Sequence, residues 1–372
     1  MVTLKLRRRG GALIWLFAGA LPAVCADVYV QTNLTSNIPG MAAFTDPNLI
    51  DPWGASFSAT SPIWISDRGA GVSTLYNGLG APSPTASPLV VTVPPGTATT
   101  GPTGQVFAGP TTTFTLNGSP ANFIFDTLGG TIDAWNGGTT ATVVATTPGA
   151  RYEGLAQANN TLYAANFVAG GAVNVFNSSY IMTGSFNDPN VPAGYAPFNV
   201  QNIGGRLYVE YALVNSSIPV PLPGNGGFVD VFNTNGTLVQ RLVSGGALDA
   251  PWGVALAPAS FGQFGGDLLV GNFGNGQINA FDPNTGAFIG TIDGPNGAPF
   301  SEPGLWAIFF GNGSQSTSTN ALYFAAGINR GNDGLFGDVT AAPEPNTFAL
   351  MVGSALLVGA WRLRRLRTGG PQ

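Results

Sequence analysis

The chain has 372 residues, only 8% of them charged, with 54 glycines, 29 prolines, a single cysteine and no histidine. These counts exclude Ser-His-Asp and Cys-His catalysis and His-ligated metals, and with Cys25 in the leader they leave the body without disulfides or thiolates. Lys5, Arg7, Arg8, Arg9 and Arg362, Arg364, Arg365, Arg367 lie at the two ends; the body keeps five arginines, no lysine and 17 acidic residues, a charge near −12 that disfavours nucleic acid.

The first segment runs from a basic stretch, Lys5 to Arg9, through an apolar stretch, Ala12 to Leu21, to Val24-Cys25-Ala26 before Asp27. That order predicts a cleaved signal peptide over residues 1–26, and therefore export. Cys25 also invites a lipoprotein reading, but Val24 before it and Pro22 three before it do not match a lipid-attachment site.

From Asp51 onward one unit recurs: an aromatic residue or Pro beside Gly, an apolar strand ending in a small or acidic residue, a Gly-rich turn, and an alternating strand ending in an aromatic. Six copies begin at Asp51-Pro52-Trp53-Gly54, Gly101-Pro102-Thr103-Gly104, Tyr152-Glu153-Gly154-Leu155, Ala196-Pro197-Phe198-Asn199, Ala250-Pro251-Trp252-Gly253 and Pro303-Gly304-Leu305-Trp306. A spacing of roughly 45 to 55 residues suits a propeller blade of four short strands. Turns such as Asn233-Thr234-Asn235-Gly236 and Asp282-Pro283-Asn284-Thr285-Gly286 lead into outer strands near Thr237–Leu242 and Ala287–Ile292.

The sixth copy has a degenerate third strand near Gly334–Gly337 and no outer strand, while Val28–Leu34 is a strand without a blade. The N-terminal strand is expected to fill that vacancy and remove a free sheet edge. The expected fold class is all-β, a six-bladed β-propeller over residues 27–340 whose ring is closed by the N-terminal strand. A β-helix would show a shorter period, and a β-sandwich would not repeat six times. One chain completing one ring favours a monomer.

Aligned copies place Asp67, Asp126, Asn166, Tyr211, Asn272 and Ala326 at one position, the end of the second strand, on the face where the innermost strands begin. Asp51, Glu153, Asp249 and Glu302 lie near those beginnings. Together such oxygens would take calcium, which needs six to eight ligands at about 2.3–2.6 Å. The same residue types ahead of Gly are ordinary turn formers, a reading that needs no ligand. Trp53, Trp252 and Trp306 recur at the starts of innermost strands, either as filling between blades or as a platform for stacking sugar rings.

The chain ends with Pro343-Glu344-Pro345, an apolar run from Thr347 to Trp361, and four arginines from Arg362 to Arg367. The two prolines hold an extended, protease-accessible segment. As a helix the run of about 15 to 17 residues is at the short limit for a membrane span, and the arginines would stay on the cytoplasmic side. Taken without the Pro-Glu-Pro, the run and its arginines read as a plain C-terminal anchor. This tail, residues 341–367, resembles the PEP-CTERM sorting signal of Gram-negative bacteria. The resemblance implies processing by an exosortase, transient residence in the inner membrane through the C-terminal helix, and an association with exopolysaccharide. The repeats resemble those of NHL-type propellers and, across the chain, a family of PEP-CTERM-associated propeller proteins to which no activity is assigned.

The functional expectation is an exported protein of the cell surface or extracellular matrix, using a rigid propeller as a non-catalytic binding platform for exopolysaccharide or a surface protein. A calcium-dependent, lactonase-like hydrolase using Asp67, Asp126, Asn166 and Asn272 as its metal site is one alternative. A purely structural envelope component is the other.

Overall fold

A computed structural model describes residues 28–215 and 221–342. The signal peptide, the Pro343-Glu344-Pro345 motif and the apolar tail lie outside the described residues, among which no helix is long and apolar enough to cross a membrane.

Six antiparallel sheets succeed one another along the chain, and together they form a six-bladed β-propeller. The innermost strands are Pro52–Ser56, Pro102–Phe107, Tyr152–Ala158, Tyr195–Ile203, Pro251–Leu256 and Leu305–Phe310. Each of the first five is followed by a second, third and outer strand, so that a typical blade, such as the third, runs Tyr152–Ala158, Thr161–Asn166, Val173–Phe176, Met182–Phe186. Second and third strands are buried on both faces, and outer strands such as Met182–Phe186 are largely exposed. Two-sided burial explains why the inner strands read as continuous apolar runs rather than as alternating ones.

Asparagine and aspartate set the turns into the outer strands. Asn77, Asn177 and Asn235 each accept the backbone N–H two residues on, at 2.9, 2.9 and 3.0 Å, and Asp282 does the same for Asn284 at 2.9 Å. These side chains close a local ring that mimics a backbone turn. Val90–Thr92, within the Thr/Pro-rich stretch after Ala81, is the outer strand of the first blade.

The ring closes as the sequence predicts. Tyr29–Ser36 lies antiparallel to Leu335–Ala341, with Tyr29 opposite Ala341 and Ser36 opposite Leu335, and becomes the fourth strand of the sixth blade. The expectation of a degenerate third strand in that blade is corrected, because Leu335–Ala341 is a regular seven-residue strand paired on both sides. Gly337 disguised it: a Cβ there would collide with the Phe324 ring, so glycine marks a close approach and not a turn.

Apolar side chains fill the clefts between neighbouring blades. Ile124, Leu162 and Phe176 join the second and third blades, Val229, Val254 and Val270 the fourth and fifth, and Leu269, Ile308 and Phe324 the fifth and sixth. Neighbouring innermost strands come very close. A Cβ on Gly104 would collide with the backbone N of Leu155, and one on Gly253 with the carbonyl of Trp306. The Gly that recurs two residues into the innermost strands is therefore a packing requirement of the ring.

Candidate functional site

Strand register fixes which residues ring the axis. Pro52, Pro102, Tyr152, Pro197, Pro251 and Leu305 lie opposite Asp67, Thr127, Asn166, Tyr211, Asn272 and Ala326, at or near the ends of the second strands in their own blades. One residue further in, the six axial positions are Trp53, Thr103, Glu153, Phe198, Trp252 and Trp306.

Three of these six are the tryptophans singled out in the sequence, and they form one body. Trp53 stacks on Trp306 with ring centroids 3.5 Å apart, and Trp252 meets both edge-on at 6.4 and 5.7 Å. Phe198 closes the group at 5.7 Å from Trp306. All four are buried, and they divide the central channel into two mouths. Aromatic groups of this size contribute both buried area and favourable edge-to-face geometry.

On the face where the innermost strands begin, a funnel of about 530 Å³ opens above this septum, with walls from five of the six blades. Trp53, Trp306 and the half-buried Phe273, whose ring lies 4.3 Å from that of Trp306, form its floor. Pro221, Pro223 and Pro303 add apolar wall. Arg68, Arg151 and Arg330 supply the cations, three of the five arginines in the body.

Each arginine arrives by a different route. Arg68 follows the second strand of the first blade, where its backbone N–H donates to the Asp51 carbonyl at 3.1 Å. Its guanidinium pairs with the Asp51 carboxylate and lies 5.9 Å from the Trp53 ring. Arg151 immediately precedes the innermost strand of the third blade, and its Nε donates to Glu153 Oε1 at 2.6 Å. Arg330 stands exposed in the turn after the second strand of the sixth blade, where Asn329 and Arg330 take consecutive left-handed conformations at φ 52° and 63°. Non-glycine residues rarely adopt this region, and runs of them mark sites where the surroundings impose the backbone.

The two acids of the funnel are held differently. Asp51 accepts from Trp53 Nε1 at 2.9 Å as well as from Arg68, yet burial still lifts its pKa above the ordinary carboxylate range against the pull of Arg68. Glu153 occupies the axial position that tryptophan holds in three other blades. Burial raises its pKa to about 8, with Arg151 opposing, and its Oε2 is buried without a hydrogen-bond partner. Burial thus pushes the Glu153 carboxyl toward its neutral form, against the pairing with Arg151.

The expected Asp and Asn side chains are each tied into their own surroundings by one atom, while Asp67 Oδ1, Asp126 Oδ2 and Asn272 Oδ1 are buried without a hydrogen-bond partner. Asp67 is fully buried, and its Oδ2 accepts from Thr74 Oγ1 at 2.7 Å inside its own blade. Asn166 Oδ1 accepts the Arg151 backbone N–H at 2.9 Å, and Asn272 Nδ2 donates to the Ala247 carbonyl at 2.8 Å. Asp126 does not share their position, because register places Thr127 there. Shifted by one residue, Asp126 turns to the other side of its strand and accepts from Thr103 Oγ1 and Gly104 N at 2.8 and 2.6 Å. Of the residues expected to hold calcium, Asp51 and Glu153 line the funnel, while half-buried Asp249 sits beside it and accepts from Gly224 N at 2.5 Å. Among the described residues no three acidic side chains gather to hold a metal ion. Calcium takes six to eight oxygens, more than the two carboxylates that line the funnel supply by themselves.

Arg68, Arg151 and Arg330 escaped the sequence reading because they repeat in no other blade, and Phe273, which Phe167 matches in the third blade, lies one residue past the aligned Asn272. A signal was present nonetheless. In a body with five arginines, Arg68 directly follows Asp67, Arg151 directly precedes Tyr152-Glu153-Gly154, and Arg330 lies four residues after Ala326, all on loops of the same face.

The opposite mouth is a cavity of about 270 Å³ without a charged side chain in its lining. Gln105, Gln157, Asn199, Gln201 and Asn202 line it with Phe57 and Phe107. Gln105 Nε2 is engaged by the carbonyls of Gly54 and Trp64, while its Oε1 is buried without a partner.

No protein-family model matches the chain. Among solved structures it is similar to the apo form of the soluble aldose sugar dehydrogenase of Escherichia coli, at TM-score 0.51 and 13% identity over 85% of this chain and 100% of that one. It is also similar to a catalytically inactive virginiamycin B lyase from Staphylococcus aureus with quinupristin, at TM-score 0.50 and 16% identity over 84% and 99% of the two chains. At these identities the likeness is one of fold. Uncharacterized protein L690 of Acanthamoeba polyphaga mimivirus is 36% identical over 50% of this chain and 51% of its own. Uncharacterized protein R648 of the same virus is 33% identical over 325 residues, 82% of this chain and 78% of its own, and the chain belongs to the family of that protein.

Proposed function

We propose that this protein is an exported β-propeller that binds a small organic ligand in the axial funnel and does not transform it. The observation that carries this reading is the funnel itself, about 530 Å³ with an aromatic floor, apolar walls and a few convergent polar groups. That combination characterises ligand sites. A binding role fits the side chains available, since the chain has no histidine and Asp51 and Glu153 are each engaged by an arginine. Export and surface display rest on the leader over residues 1–26 and on Pro343-Glu344-Pro345 with its basic apolar tail, the features that resemble a PEP-CTERM signal.

Two measurements test the proposal. Thermal unfolding of the purified protein against panels of saccharides and small organic acids should find ligands that raise the midpoint, since a ligand bound only to the folded form stabilises it. Phe273→Ala, which removes part of the funnel floor, should abolish the shift; a shift that survives it would place the ligand elsewhere. Mass spectrometry of the protein recovered from outside its host cell should show a chain beginning at Asp27 and lacking the tail, and an intact tail there would remove the sorting reading.

A further inference from the structure

We infer that the funnel selects an anion, a small ring-bearing carboxylate whose carboxyl group is seated by Arg330 with Arg68 and Arg151 while its ring lies against Phe273 and the Trp53–Trp306 stack. The inference rests on the funnel being the ligand site and adds the charge and shape of what enters it.

Charge is the first argument. The body carries five arginines against 17 acidic residues, yet three arginines and only two acids line this one cavity. Both remaining arginines lie in the fourth blade. Arg241 is taken up by Asp188 and by Asp230 at 3.1 Å, and Arg206 begins an exposed end of the second strand. In an otherwise acidic molecule the funnel is where the lining is positive, and low-dielectric walls focus that field on whatever enters.

Availability is the second. Arg68 and Arg151 each have a carboxylate partner, but no ion pair or hydrogen bond engages the Arg330 guanidinium among the described residues. It is carried on a turn whose left-handed backbone at Asn329 and Arg330 costs conformational energy, and Gly327 before that turn has no room for a side chain beside the Asp51 carboxylate. A planar guanidinium offers paired donors that match the two oxygens of a carboxylate.

Shape is the third. Below the arginines the lining turns apolar, with Trp306 flanked by Phe273 and Trp53. Such faces stack on flat or hydrophobic ring surfaces. Glu153, whose Oε2 is buried without a partner, also lines the funnel. A free inorganic anion would use the arginines and leave this floor unused.

Isothermal titration of the full-length protein with glucuronate, benzoate, glucose and inorganic phosphate separates these demands, using wild type, Arg330→Gln and the fourth-blade control Arg206→Gln. Ring carboxylates should bind, at least about tenfold more weakly to Arg330→Gln, the loss expected for one charge-assisted contact, and unchanged to Arg206→Gln. The balance between glucuronate and benzoate tells a sugar ring from an aromatic one. Glucose binding as tightly as glucuronate, with Arg330→Gln silent, would overturn selection by charge while leaving the funnel as the site. Phosphate binding as tightly as the ring acids would overturn the ring requirement. Heat from none of the four would overturn this inference, and the Phe273→Ala experiment would then judge the funnel separately.

Discussion

The two mouths of the central channel are built on the same six strands and separated by one aromatic septum, yet they differ in kind. The funnel side carries three arginines and two acids among aromatic and proline walls, whereas the opposite mouth is lined by neutral amides and phenylalanines. The difference arises from the chain segments that reach each end. The amide mouth is walled by the innermost strands themselves, where the repeat constrains every residue. Loops that precede the innermost strands and follow the second strands frame the funnel, and there each blade is free to differ. A repeat architecture thus concentrates individuality on one face, which is where a site can be grafted.

The septum that keeps the mouths apart gives the largest expected effect. Trp306→Ala would remove the ring on which Trp53, Trp252, Phe198 and Phe273 converge, joining the two cavities at a cost of about 3–5 kcal/mol. Chemical denaturation should show this as a lower midpoint. A loss below about 1 kcal/mol would mean that the septum is not one cooperative unit.

Acidity distinguishes the mouths next. Glu153 has a folded-state pKa of about 8, raised by burial, whereas the amide mouth does not titrate. A raised carboxyl pKa means that the folded state holds the proton longer than the unfolded chain, so stability declines as pH rises from about 4.5 to about 8 and is flat above. Asp126, Asp133 and Asp230, lifted to about 7 by burial, add to the decline over the lower part of that range. Glu153→Gln should therefore flatten the stability profile most clearly between pH 7 and 8. An unchanged profile there would place the ionised form in the funnel.

A smaller effect is expected from Arg330→Gln, whose exposed side chain should leave the unfolding midpoint within about 0.5 kcal/mol of wild type. A large destabilisation would make the arginine a structural element of its turn. Smallest of all, Gln201→Ala at the opposite mouth should change neither stability nor the binding of any funnel ligand, as followed by tryptophan fluorescence. A change in funnel affinity would show that the septum transmits between the mouths.

Much of the fold was legible because the repeat states the same solution six times. Pro-Trp-Gly at Pro52 and at Pro251 announces a strand that must let its neighbour approach and must fill the axis, and the unpartnered Val28–Leu34 announces the closure. The site was less legible for the opposite reason. Asp126 looks equivalent to Asp67 until register shows it one residue short, a slip that reverses the side of the strand. Glu153 stands where tryptophan is the norm, and Arg330 belongs to a turn found in one blade only. A periodic reading detects what recurs, and these residues are departures from the period.

The clasp between Tyr29–Ser36 and Leu335–Ala341 also bears on how the protein meets force. Because these strands run antiparallel, with Tyr29 opposite Ala341 and Ala342 N donating to the Val28 carbonyl at 2.8 Å, the chain enters and leaves the ring at the same end of the pair. Tension applied through the two termini would open this ladder one hydrogen bond at a time from Val28 and Ala342 inward, like a zip, and would not load all its bonds together in shear. Drawn by its ends, the ring would yield first at its own fastening, and a propeller tethered by a single end would keep that fastening out of the load path.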